Sequence, residues 1–140
     1  MSIPTRSRGF SLIELLLVLA IIGIISAIAI PAYVGQRRRA RDIGDAISNA
    51  RVMQMGLESL KSDTGIYGAV AGYDWKADGS AASGPALLPT FQPKGSTTMN
   101  YHLDIANAGA AYTLTVTDTT QGGANVYITN QLGQVTYRRP

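Results

Sequence analysis

Glu14 is the one charged residue between Phe10 and Val34. A carboxylate at the edge of an apolar run is costly unless a cation meets it. A helix that docks beside copies of itself can use that cost, because the acid then demands one specific partner. Ser11-x-x-Glu14 also fits a capping box, with Glu14 reaching back to the Ser11 backbone N–H. Arg37, Arg38, Arg39 and Arg41 close the apolar run; they read as a solvated helix face, as partners for carboxylates of neighbouring copies in an assembly, or as contacts for lipid headgroups. Elsewhere the reactive chemistry is thin. His102 is the single histidine and shares a strand face with Asp104, but no nucleophile or metal set stands beside it in the sequence. Asp74-Trp75-Lys76-Ala77-Asp78-Gly79 begins like a calcium loop, yet Lys76 fills a ligand position and no glutamate closes the loop, so it reads as a solvated turn. The glycines lie in turns and build no phosphate loop. No enzyme activity, metal or cofactor is expected.

Composition narrows the classes further. The chain has 140 residues, enough for one small domain, and no cysteine. That excludes disulfides, thiolate metal sites and cysteine nucleophiles. The formal charge is +3, but Arg6 and Arg8 sit in a short N-terminal leader. Without the leader, ten basic residues face nine acidic ones, too even a balance for a nucleic-acid-binding domain. Arg138 and Arg139 offer at most a weak contact with DNA phosphates. Ser80, Ser83, Ser96 and Thr97 are sugar acceptors only through O-linkage, since no N-x-S/T site exists.

The element that must position Glu14 is the run from Phe10 to Val34. As a helix it is about 37 Å long, enough to cross a bilayer core with some tilt. An ordinary signal peptide cut after Ala27-Ile28-Ala29 is one competitor, and a plain membrane anchor is another. Neither gains anything from Glu14.

Gly9-Phe10-Ser11-Leu12-Ile13-Glu14-Leu15, then a long Leu/Ile/Val/Ala run ending in Pro31-Ala32-Tyr33, resembles the N-terminus of type IV pilins and pseudopilins. The likeness covers residues 6–36. It implies cleavage by a prepilin peptidase between Gly9 and Phe10, and N-methylation of Phe10. It implies that Glu14 neutralises the Phe10 amine of a neighbouring subunit during assembly. It also implies that Gly23 and Pro31 bracket a stretch of helix able to loosen in the filament. Proline removes a helix hydrogen bond, and glycine weakens a helix interior by about 1 kcal/mol against alanine.

Beyond the apolar run, Arg38 and Asp42, and Arg41 and Asp45, are spaced to pair on one helix face. By charge counting, four arginines after the span and two before it would leave the head in the cytoplasm. The leader motif argues the opposite orientation and is the more specific signal. Ile43, Ile47, Ala50, Met53, Leu57 and Leu60 form a helical stripe that should pack on a sheet. Stop chemistry follows at 62–65. Residues 63–98, rich in glycine and proline, read as a connecting loop. Strands are expected at Met99–Ile105, Tyr112–Thr117, Asn125–Thr129 and Gln134–Arg138, with a hairpin turn at 130–133. The many pilins that staple their C-terminal region use a cysteine pair. Here strand pairing and side chains such as Val135 and Tyr137 must hold that edge.

The expected fold is α+β and pilin-like: a long N-terminal helix on an antiparallel sheet of about four strands. The expected divisions are a cleaved leader (1–9), a transmembrane and filament-core helix (10–35), an amphipathic helix half (36–62) and a head (63–140). The expected role is a structural subunit of a type IV pilus-like filament, polymerised with copies of itself. Its partners would be prepilin peptidase, the inner membrane and the assembly platform there, before it reaches the cell surface. A pseudopilin of a type II secretion system is the alternative, followed by a secreted soluble binding domain.

Overall fold

The computed structural model describes residues 9–76, 78–80, 82–95 and 97–140. The leader residues 1–8, with Arg6 and Arg8, lie outside the described residues, as do Ala77 of the calcium-like stretch and Ser96. The chain divides after Arg38 into two compact units.

A single helix, α1, runs Leu12–Thr64, with Pro31 inside it. Its start is made by the main chain, with the Leu15 N–H donating to the Ser11 carbonyl at 3.2 Å. Neither half of the expected capping box forms among the described residues. Pro31 has no N–H to donate to the Ala27 carbonyl, yet the helix passes through without a break. Its most apolar 18-residue window has a mean hydropathy of 2.9, long and apolar enough by composition to cross a membrane. The helix ends as the sequence indicates: Gly65 takes a positive φ of 86°, and its N–H donates to the Lys61 carbonyl at 2.7 Å.

Beyond Arg38 the amphipathic stripe does what its spacing demands. Ala46, Ile47, Ala50, Met53 and Leu57 are buried, and Ile43 packs against the same core. They face a five-stranded antiparallel sheet of order β1-β2-β3-β4-β5. The strands are β1 Gly72–Lys76, β2 Met99–Ala106, β3 Ala111–Asp118, β4 Ala124–Asn130 and β5 Val135–Arg138. Alternation fixes the faces. Tyr101, Leu103 and Ile105 on β2, and Tyr112, Leu114 and Val116 on β3, point into the core. The hairpin at 130–133 closes as its sequence suggests. The Gly133 N–H reaches the Asn130 carbonyl at 3.0 Å, and Asn130 Oδ1 accepts from Leu132 and Gln134.

Two expectations change. The sheet has five strands where about four were expected, and residues 63–98 are not a plain loop. They contribute β1, a short 3-10 turn at Gly84–Ala86, and four buried core side chains: Tyr67, Trp75, Leu88 and Phe91. The pattern was hidden because β1 shows only one buried side chain, Trp75, among a glycine and two charges. The aromatic rings interlock edge to face, Trp75 on Phe91 at 5.9 Å and Phe91 on Tyr101 at 6.2 Å.

Candidate functional site

The N-terminal stretch of α1 is apolar on every side, so no one face of it can be buried against a single core. Phe10 is 79% exposed and Leu12 76%, and large side chains remain exposed through Tyr33 and Val34. So long an apolar surface calls for lipid or for other helices around it. Gly9 and Phe10 precede the helix and are exposed, which leaves that peptide bond open to a protease. Glu14 lies in the first turn of α1, exposed, and makes no hydrogen bond or ion pair among the described residues. Its carboxylate is therefore available to a cation from outside the chain. Gly23 and Pro31 both lie within α1.

Arg37, Arg38, Arg39 and Arg41 are exposed. The pairs expected with Asp42 and Asp45 do not form. The ion pairs among the described residues join His102 to Asp74 and Asp104, and Arg139 to Asp118. Long side chains on an exposed helix gain little from pairing, and the order of base before acid is the weaker one.

The sheet settles the minor candidates. Asp74 lies on β1 opposite His102 on β2, so the calcium-like stretch starts in a strand rather than a loop. His102 Nδ1 meets Asp74 Oδ1 at 2.7 Å and Nε2 meets Asp104 Oδ2 at 3.3 Å. The hydrogen bond to Asp74 raises the His102 pKa above its ordinary 6.5, against the opposing effect of partial burial. Spacing pointed to Asp104; Asp74 came with the unrecognised strand. The clasp sits on the outer face of the sheet with no nucleophile joined to it, and it serves the β1–β2 pairing.

Arg139 is not free for nucleic acid. Its guanidinium donates to Asp118 at 3.1 Å, and the two side chains are only 19% and 10% exposed. Arg138 remains exposed. The same contact corrects the expected C-terminal staple. Strand pairing with β4 is present, but Val135 and Tyr137 stay 50% and 42% exposed. Arg139 does the anchoring, with its backbone N–H also donating to the Val126 carbonyl at 2.8 Å.

Sequence reasoning missed Asn49. It is buried on α1, and its amide binds the Lys94 carbonyl at 2.7 Å and the Tyr101 hydroxyl at 2.8 Å. Its oxygen accepts from the Lys94 N–H at 3.3 Å, so Asn49 mimics a strand neighbour and ties the incoming segment to the helix. The signal was available: a short amide at a position the stripe would bury.

Comparison with known proteins agrees with this surface. Residues 4–30 match the family described as the prokaryotic N-terminal methylation motif. The chain is 39% identical over 75 residues to the fimbrial protein EcpC of Eikenella corrodens, covering 54% of this chain and 43% of that one. It is 40% identical over 62 residues to the type IV major pilin protein PilA of Myxococcus xanthus, covering 44% and 28%. It is 49% identical over 59 residues to a type IV major pilin protein PilE1 of Neisseria gonorrhoeae, covering 42% and 33%. The chain spans less than half the length of these curated relatives. No solved structure is a significant match. The methylation motif and these relatives make the N-terminal part of the chain similar to that of type IV pilins, and a long apolar helix leading into an antiparallel sheet is a pilin-like arrangement.

Proposed function

We propose that this protein is a structural pilin subunit of a type IV pilus-like filament. The observation that carries the reading is the exposed apolar start of α1 with one unpaired carboxylate, Glu14, in its first turn. Prepilin peptidase cuts between Gly9 and Phe10, and the new Phe10 amine is methylated. The subunit waits in the inner membrane, where lipid covers the apolar helix. The assembly platform then moves it into the filament, where neighbouring helices replace the lipid. Glu14 of one subunit meets the Phe10 amine of another, so the only charge in the apolar run fixes the axial register. The stretch between Gly23 and Pro31 is the weakest part of the helix and the place where it loosens on packing. The filament emerges at the cell surface.

The test is mass spectrometry of the N-terminal peptide of the mature native protein. A methylated Phe10 start is the expected result. A start at Ile30 would mean an ordinary signal peptide and would remove the assembly helix altogether. Long filaments on the cell surface separate a pilin from a pseudopilin.

A further inference from the structure

Arg37, Arg38, Arg39 and Arg41 follow the apolar run closely on the same uninterrupted helix. All four are exposed, and no ion pair joins any of them to another described residue. Asp42 and Asp45 stand one turn further on and form no ion pair with them among the described residues. The placement along the axis is informative. From Leu15 to Val34 the helix rises about 30 Å, the thickness of a hydrocarbon core. Arg37 to Arg41 then fall about 4.5 to 10.5 Å beyond, at the depth of the headgroups.

The placement around the axis is informative too. At about 100° per residue, the four side chains leave the helix near 0°, 100°, 200° and 40°, an arc of about 200°. A neighbouring helix meets a stripe only about 100° wide. A single protein neighbour therefore cannot reach all four arginines, whereas a ring of lipid can. The residue type agrees. The chain has three lysines, at 61, 76 and 94, and none in this run. A guanidinium binds a phosphate through two parallel N–H bonds, which an ammonium does not.

We propose that Arg37, Arg38, Arg39 and Arg41 form a collar that binds the phosphates of anionic phospholipid headgroups and sets the depth of the membrane-resident subunit. The collar rests on the reading of the apolar helix as a membrane span. Extraction into a filament must break these contacts, so the lipid holds the subunit at the membrane until the assembly platform acts.

The experiment uses the full chain, one copy per lipid nanodisc. The discs are phosphatidylcholine with a minority of phosphatidylglycerol, and spin-labelled lipids report which headgroup the protein immobilises. The expected result is a preference of about fivefold or more for phosphatidylglycerol, reduced to near parity in R37Q/R38Q/R39Q/R41Q. If the fourfold variant does not insert, R38Q/R39Q is used and should show an intermediate preference. Equal retention of both lipids by the inserted wild type, or full preference in an inserted variant, overturns the collar. A preference found only when two chains share a disc assigns the arginines to a second copy and overturns it as well. A wild-type chain that fails to insert at all overturns the span, and the collar with it.

Discussion

Arg139 Nη1 donates to Asp118 Oδ2 at 3.1 Å, joining the end of the chain to the end of β3 across 21 positions. Asp118 is already committed on its other side, where Oδ1 accepts from the Thr120 N–H at 2.9 Å and from the Thr120 hydroxyl at 2.6 Å. One largely buried carboxylate thus closes the turn after β3 and pins the strand that lies beyond β4. In a chain with no cysteine, this contact does the work of a C-terminal crosslink.

The contact has a measurable value. Arg139→Ala should destabilise the head by about 2 kcal/mol, because a charge-assisted bond is lost and its acceptor stays largely buried. Asp118→Ala should cost more, about 3 kcal/mol, since the Thr120 bonds go as well. Thermal unfolding of the full chain in detergent reads both. A change in Tm below about a degree for either variant would show that the C-terminal edge is held in another way.

Glu14→Ala should separate folding from assembly. Glu14 is exposed and makes no hydrogen bond or ion pair with other described residues, so the variant should insert and fold as the wild type does. Surface filaments should fall to background while the membrane pool rises. Immunoblots of sheared filaments and of membranes measure the two together. Normal filament yield would remove the register role given to Glu14.

The β2–β3 connection stores backbone strain. Asn107, Ala108 and Gly109 take consecutive positive φ values of 52°, 56° and 86°. Gly109 is irreplaceable, since a Cβ there would sit 2.6 Å from the Gly68 carbonyl oxygen. Ala108 is exposed and has no such restriction on becoming glycine. The left-handed conformation costs an alanine about 1–2 kcal/mol, against about 0.4–1 kcal/mol for the extra freedom that glycine brings to the unfolded chain. Ala108→Gly should therefore raise stability by about 0.5 kcal/mol. A lower Tm would show that the Ala108 methyl makes a contribution larger than the strain it causes.

The His102 clasp gives a pH dependence of known sign. Its folded pKa is raised above 6.5, chiefly by the hydrogen bond to Asp74. The protonated ring therefore adds stability in full below 6.5, and loses it as pH rises through the raised value. With the histidine 43% and Asp74 50% exposed, solvent screening limits the effect to a few tenths of a kcal/mol. His102→Gln should flatten this part of the stability profile. An unchanged slope above pH 6.5 would reject the clasp.

The sequence made the periodic parts of this fold legible and left the single-residue contacts obscure. The stripe from Ile43 to Leu57 and the alternation on β3 come from repeated burial, and repetition survives noise. β1 is only five residues long, with Trp75 as its one buried side chain, so no period could form. Asn49 and Arg139 were hidden for a different reason. Each is a polar residue whose meaning depends on what folding brings to it, Lys94 and Tyr101 in one case and Asp118 in the other. The acid–base spacing at Arg38 and Arg41 misled in the opposite direction, because a local spacing permits a pair without making it favourable. Along the N-terminal part of α1, residue type and position alone made the apolar run and the acid near its start legible. A helix surface without a tertiary neighbour depends little on the rest of the fold.

The strand order β1-β2-β3-β4-β5 means that every strand pairs only with its neighbours in sequence. No strand waits for a distant segment, and no connection crosses another. Within the sheet every pairing therefore joins consecutive strands, and pairings between sequence neighbours form faster than distant ones. A head of this kind can be completed hairpin by hairpin, starting from the strand that follows the helix. Arg139, which follows β5, then locks the result through Asp118. Such a head spends little time with unpaired strand edges, the state in which pairing with a wrong strand is most damaging.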